Sequence, residues 1–577
     1  MLKLIVVLSL SCFIINAKLT DKTPIEANHH TSLISQGYTL GKTQMGDISY
    51  TKMVSHTEKH SIVYFKDWNT LSTQLIQRFT DRIASGQRFE YNLEAINCEW
   101  GEGPDYWRFL PAFKGAAFVN GPAVTFTNHC FQQGSAQITN SSSTSITLTL
   151  NVAQASSFDC YDTFLIAILD QYHIDKVEFH GKVSVTFNNL TPNDLYDITQ
   201  NGVRVFTFCD DISTLIEDVA MTAELFSGGF TTDKWLPVVG SHVTWWMERS
   251  NIQFLQQAIN YTMIRRPNTA QTLQKEQIAS GSFLAVTRLD GLDEIIMWGC
   301  GSRVGHSTVA VWVELNGVRD LYIMESQAGW YWPRTGIQMN QFDQWVKWAN
   351  DASFNVVVLP LKAEIQALFN ETSAYEWFKT VEGMPYGFHN FAFGWIDTPT
   401  QNFPAMLNSN FLMPAIQTVY KIMPDAINSV FLLSLNKHAG TVNLTLPELE
   451  VAAGAQNMTL LELAAVVEQE GWMYPDGYAY VCSSFVLGLY KRAGILGNLV
   501  LQATEFTPRD VYSLNIFDPN PQIPQNCKDQ DPDIPYCQLI GKYRVNLGSD
   551  YASIAPYSNM DQTCPSIAPT FYRPDGC

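Results

Sequence analysis

The sequence predicts an α+β protein, and three observations carry that expectation. Residues 123–128, 144–152 and 173–187 alternate apolar with polar side chains and are rich in Val, Ile, Thr and Phe, the pattern of half-buried strands. Asn316-Gly317 separates two further strand patterns, 307–315 and 321–326, and that dipeptide between strands is the strongest short-range hairpin signal. At 478–486 (YAYVCSSFV) aromatic, strand-like residues give way to a helix, with Cys482 at the change.

In chain order, the first 17 residues have the form of a secretory signal. Lys3 supplies the positive end, 4–15 are apolar, and Ala17 is small enough for a cleavage site. A polar leader (18–60) precedes a β-rich N-terminal domain (61–240), and residues 71–83 within it are helical by spacing. A helical connector follows (241–280). From Gly281 to Asp518 strands and helices alternate, with a mostly helical insertion at about 402–457, and a Cys/Pro-rich strap (519–577) has little periodicity of its own. A chain of 577 residues is too long for one core, which agrees with this division. No later segment is apolar for the length a bilayer requires, so no transmembrane segment is expected, and the mature chain is expected to be secreted or endolysosomal.

Composition narrows the function. The formal charge of −19 and pI near 5.0 argue against nucleic acid or an anionic membrane as the main partner. Six glycosylation triplets begin at Asn140, Asn189, Asn260, Asn370, Asn443 and Asn457, as suits a secretory route. Of the 11 cysteines, Cys12 falls in the signal. Cys98, Cys130, Cys160 and Cys209 form one local set, and Cys527, Cys537, Cys564 and Cys577 another, each expected to make two disulfides of undetermined connectivity. Cys300 and Cys482 remain, either free or paired with each other. No spacing of metal ligands stands out, and neither a metal nor a cofactor is expected.

The hairpin permits a geometric inference. With a two-residue turn, Leu315 opposes Val318, so that His306 faces Gln327 and Thr308 faces Glu325. Side chains alternate with period two, which places His306, Thr308, Glu325 and Gln327 on one face. Glu325 lies on the diagonal from His306, at a backbone distance of about 7–8 Å, within reach of a long side chain. His306 therefore has two candidate partners, Gln327 and Glu325. Cys482 stands at a helix N-terminus, where unpaired N–H groups and the macrodipole favour a thiolate, although a buried cysteine also fits such a segment. The loop 383–390 (GMPYGFHN) marks a turn whose aromatics suit a cleft wall, with Tyr386 and His389 as polar candidates for substrate contact or for bracing the loop.

Gly305-His306-Ser307, then Met324-Glu325-Ser326, then Tyr480-Val481-Cys482-Ser483-Ser484 together resemble the circularly permuted papain-like (NlpC-type) thiol hydrolases over roughly residues 281–518. In that family a strand histidine and a following strand acid precede a cysteine that opens a helix. The resemblance implies a permuted papain-like domain with Cys482 as nucleophile, His306 as general base and then acid, and Glu325 orienting the imidazole. It leaves a second oxyanion donor to be found, for which Tyr480 and Tyr386 are candidates. The long interval between hairpin and cysteine departs from the family and requires the insertion. The leading expectation is a cysteine hydrolase cleaving an amide in a peptide, in wall-type material or in an N-acyl compound. A lipid acyl hydrolase or acyltransferase on the same fold, and a non-catalytic secreted glycoprotein, are the alternatives.

Overall fold

The computed structural model describes residues 38–45, 48–55, 61–64, 111–128, 130–155, 161–178, 181–208, 243, 245–327, 336–390, 409–422, 424–464, 466, 468–499 and 501–554. The chain is mixed α and β, its sheets antiparallel, and it divides into two compact units. The signal, the expected helix at 71–83, and Cys98, Cys160, Cys209, Cys564 and Cys577 lie outside the described residues.

One unit holds residues 1–224 and 408–423. Strands β1 (Tyr38–Met45), β2 (Ile48–Ser55) and β3 (Ser61–Tyr64) make an antiparallel meander. Eight more strands form two sheets. These strands are β4 (Ala112–Ala117), β5 (Val124–Phe126), β6 (Phe131–Ser141), β7 (Ser145–Ala155), β8 (Tyr161–Ala167), β9 (Tyr172–Glu178), β10 (Gly181–Asn188) and β11 (Val203–Thr207). The sheet orders are β10-β7-β6-β5 and β4-β11-β8-β9. The period-two pattern of β7 is what makes this a layered core: Ile146, Leu148, Leu150 and Val152 point into a cluster shared with Phe164, Ile166 and Val205 of the other sheet. Thr147 and Thr149 point the other way and bond hydroxyls of Thr186, Ser184 and Thr139. Helix α1 (Pro192–Asn201) starts at a capping box between Thr191 and Asp194 and leads into β11. The helix Ser409–Ile422, read as part of the insertion, belongs to this unit; its Phe411 meets Phe206 at 5.9 Å and its Lys421 pairs with Asp170.

The other unit holds residues 225–407 and 424–577. It begins with α2 (Trp245–Ile259), in the expected connector. Six antiparallel strands run in the order β15-β14-β13-β12-β16-β19. These are β12 (Phe283–Thr287), β13 (His306–Leu315), β14 (Val318–Gln327), β15 (Gly336–Gln341), β16 (Asn355–Leu359) and β19 (Cys537–Ile540). Helices α3 (Leu292–Cys300), α4 (Phe342–Asp351), α5 (Glu371–Val381), α6 (Leu433–His438) and α7 (Cys482–Arg492) accompany them. A two-stranded hairpin, β17 (Met473–Tyr474) and β18 (Gly477–Tyr478), precedes α7. The 519–577 region is not only a strap: β19 is an edge strand of the sheet and Cys527 is bonded to Cys537. The described part of that region, up to residue 554, also contains a short helix (Gln525–Gln530) and is held by charge as well as by strand pairing. Arg266 reaches Asp531, and Arg544 reaches Asp531 and Asp533.

Cys130 is also disulfide-bonded. All six glycosylation-triplet asparagines are exposed, and Asn189, Asn260, Asn443 and Asn457 occupy turns at positive φ, which asparagine tolerates. Among the described residues no helix is long and apolar enough to cross a membrane.

Candidate active site

Helix α7 is buried along almost its whole length, from Cys482 to Tyr490. Phe485 stacks on Trp377 at 5.6 Å and meets Phe378 at 6.4 Å, and the Tyr490 hydroxyl donates to the Gly281 carbonyl (2.8 Å). The helix is thereby clamped between α5 and the sheet. Val481 occupies the N-cap without a side-chain bond, so its own side chain takes none of the first-turn N–H groups. Cys482 is the first helical residue and is 3 % exposed.

The hairpin pairs Leu315 with Val318 and continues to Val309 opposite Met324, the register of a two-residue turn at Asn316-Gly317. Asn316 and Gly317 both have positive φ, as that turn requires. The register brings His306 Nε2 to 2.9 Å from Glu325 Oε2 across the diagonal. The other carboxylate oxygen accepts from the Trp345 indole N–H at 3.0 Å. Glu325 and Trp345 are both fully buried, so α4 locks the carboxylate that holds the imidazole. Gln327 is buried at the end of β14 opposite Gly336; the carboxylate bonded to His306 is the diagonal one.

With Nε2 engaged by Glu325, the other ring nitrogen is left for the thiol, and the imidazole is hydrogen-bonded to Cys482 as well as to Glu325. Burial opposes the charged ring, but these two partners override it and hold His306 up at about 10. An imidazolium therefore faces the sulfur at neutral pH. Cys300 and Cys482 are both free thiols, so the pair read as a possible disulfide is not bonded. Burial, followed by the fields of Asp510 and Cys482, pushes the Cys300 thiol far up, which keeps it protonated.

Of the two tyrosines, it is Tyr386 that meets the thiol. Burial and then the Cys482 sulfur push its hydroxyl far up, and that hydroxyl accepts the Cys482 backbone N–H. Tyr480 instead packs its ring edge-on against Trp377 at 5.7 Å, and burial and then Glu470 act on its hydroxyl. What Tyr480 contributes is backbone: its carbonyl accepts from Ser326 Oγ (2.8 Å) and from the Gly387 N–H (3.0 Å). The approach at Gly387 is too close for any side chain, since a Cβ there would lie 2.3 Å from the Tyr480 nitrogen. Gly387→Ala is expected to cost on the order of 1–3 kcal/mol in urea unfolding, because backbone rather than a flexible side chain must yield.

His389 lies further along the same loop. Its Nε2 bonds Asp476 at 2.8 Å, its ring stacks on Tyr474 with centroids 4.2 Å apart, and its carbonyl accepts from Ser434 Oγ. The imidazole holds the Asp476 carboxyl below the usual carboxylate range. These bonds brace the loop that carries Tyr386.

Two contributors escaped the sequence reading. Trp345 is one of 15 tryptophans in the chain, and nothing in its local spacing ties it to the strand acid. Asp293, at the start of α3, lies against Gly305, where a Cβ would fall 2.4 Å from its Cβ and Cγ. The available signal was Gly291-Leu292-Asp293-Glu294 before the apolar run Ile295-Ile296-Met297-Trp298, a capping pattern that the Gly291 N–H to Glu294 bond (2.6 Å) completes. Among the described residues no group of three His, Cys, Asp or Glu side chains could hold a metal ion. No family model matches the chain, and neither a curated protein nor a solved structure matches it.

Proposed function

We propose that this chain is a thiol hydrolase of the circularly permuted papain-like (NlpC-type) kind, cleaving an amide bond through Cys482, His306 and Glu325. The observation that carries the proposal is the single line of contacts from Trp345 to Glu325 to His306 to Cys482, ending at a free thiol on the first turn of a buried helix. A nucleophile, a base and an orienter of the base are what acyl transfer needs.

His306 takes the proton of the Cys482 thiol, and the imidazolium so formed and the helix N-terminus lie beside the charged sulfur. The sulfur attacks the carbonyl carbon, forming a C–S bond while the carbonyl oxygen takes the electron pair. In the resting site the Cys482 N–H is given to Tyr386. The new oxyanion takes that N–H, and the displaced Tyr386 hydroxyl becomes a second donor to it. His306 hands its proton to the leaving amine as the C–N bond breaks. Water, deprotonated by His306, then attacks the thioester, releasing the acid and returning the thiol. The signal at 1–17 and the exposed asparagines of six triplets support a secreted or endolysosomal glycoprotein.

The test is alkylation of the mature protein by iodoacetamide near pH 6, followed by peptide mapping, with Cys482→Ala as control. Cys482 is expected to react at least about tenfold faster than a free thiol such as N-acetylcysteine, with Cys300 unlabelled. A Cys482 that is inert, or no faster than the model thiol, would sink the hydrolase reading.

A further inference from the structure

Three carboxyl groups stand in or just before the first turn of α3, and all three are buried. Two have local work. Asp290 pairs with Arg288 at 3.2 Å and accepts the Leu292 N–H, and Glu294 closes the cap on Gly291. Asp293 faces elsewhere. One oxygen accepts the Arg288 N–H at 2.5 Å, and its side chain fills the space left by the missing Cβ of Gly305, the residue before His306. From that place its charge acts on His306 in β13 and on Tyr386 in the facing loop.

Building on the thiol-hydrolase reading, we infer that Asp293 is a positioning residue for acyl transfer, a buried carboxyl behind Gly305 that ends the working range on its alkaline side when it ionises. The groups that face it are Asp290 and Glu294 at the start of its own helix, Arg288 before that helix, His306 and Tyr386. Burial first, and then the charge of Asp290, push it up to about 8, although the Arg288 N–H, the imidazolium and the guanidinium pull the other way. Below that pH Asp293 is neutral, and His306 can release its proton to the leaving group. Above it the carboxylate holds the proton on His306 and opposes negative charge beside Tyr386, so both the acid step and the oxyanion suffer.

The experiment uses the full-length protein and p-nitrophenyl acetate as the probe. The burst of p-nitrophenolate, which leaves without a proton from His306, measures formation of the acyl-Cys482 thioester and so reads the effect of Asp293 on the oxyanion, followed from pH 5 to 9.5 beside iodoacetamide alkylation. The parent rate is expected to fall above pH 8, on the order of tenfold by pH 9 if the ionised form does not turn over. Asp293→Asn is expected to move that limb upward by about one pH unit or more. A carboxyl needed only to accept the Arg288 N–H would lower the rate equally at every pH, so superimposable normalised profiles would overturn the inference. Should Asp293→Asn fail to fold by circular dichroism, Asp290→Asn carries the test. Removing the charge that raises Asp293 is expected to shift the limb to lower pH, and an unmoved limb counts against the inference. A parent inert to both reagents refutes the hydrolase reading and this inference with it, whereas a reactive parent with unmoved limbs refutes this inference alone.

Discussion

Cys482→Ala is expected to abolish iodoacetamide labelling at the site and to lower acyl transfer to p-nitrophenyl acetate by at least about 10³-fold, while the protein unfolds in urea within about 1–2 kcal/mol of the parent. The separation of the two effects follows from the packing. Cys482 is one small side chain at the end of a helix whose hold comes from Phe485, Trp377, Phe378 and Tyr490, none of which touches the sulfur's chemistry. Cys482→Ser should be almost as inactive, because a hydroxyl beside an imidazolium is a poor nucleophile where a thiolate is a good one. Retained burst kinetics in Cys482→Ala would place the chemistry elsewhere. A large loss of stability would make the residue a packing element.

The second large effect is expected at Glu325. Its two oxygens accept from two donors, His306 Nε2–H and Trp345 Nε1–H. Glu325→Gln keeps one acceptor and turns an amide N–H₂ toward the other donor, so one of the two bonds becomes a donor facing a donor. The expected cost is about 1–3 kcal/mol of stability, with acyl transfer down by roughly 10²–10⁴-fold as the imidazole loses its orientation. The pH dependence has a definite sign. His306 is raised to about 10 in the folded protein, so its contribution to stability is fully present below its unfolded value near 6.5 and is lost as pH climbs toward 10. Removing the Glu325 charge lowers the folded value. The parent should therefore lose more stability between pH 6 and pH 9 than Glu325→Gln does, and urea midpoints at the two pH values measure it. Equal losses in the two proteins would mean that the carboxylate does not hold the proton on His306.

The parts of the site that rest on local rules were legible in the sequence. Period-two alternation and the Asn316-Gly317 turn put His306 and Glu325 on one face, and the hydrogen bond between them is what that register produces. The helix at Cys482 follows from apolar spacing. The choice between Gln327 and Glu325 was not legible, because it turns on Trp345, a residue from the next helix that reaches back to the carboxylate. Nor was the choice between Tyr386 and Tyr480. It depends on a close backbone approach at Gly387, and a glycine in a Gly/Pro-rich loop reads as a turn whether or not another strand runs against it. Helix α3 was missed because three carboxyls and a glycine within five residues look like a solvated loop, yet all three carboxyls are buried. Strand β19 is too short to announce itself by alternation.

That last strand imposes an order on synthesis. During translation the thiol at Cys482 and the imidazole at His306 emerge before residues 537–540, and the sheet that carries the imidazole keeps an open edge at β16 until β19 arrives. The Arg266 side chain likewise waits for Asp531 and Gly541. An exposed strand edge is poorly ordered and prone to wrong pairing until it is covered. A nascent chain halted before residue 537 would hold every group of the proposed site while β16 still presents an open edge.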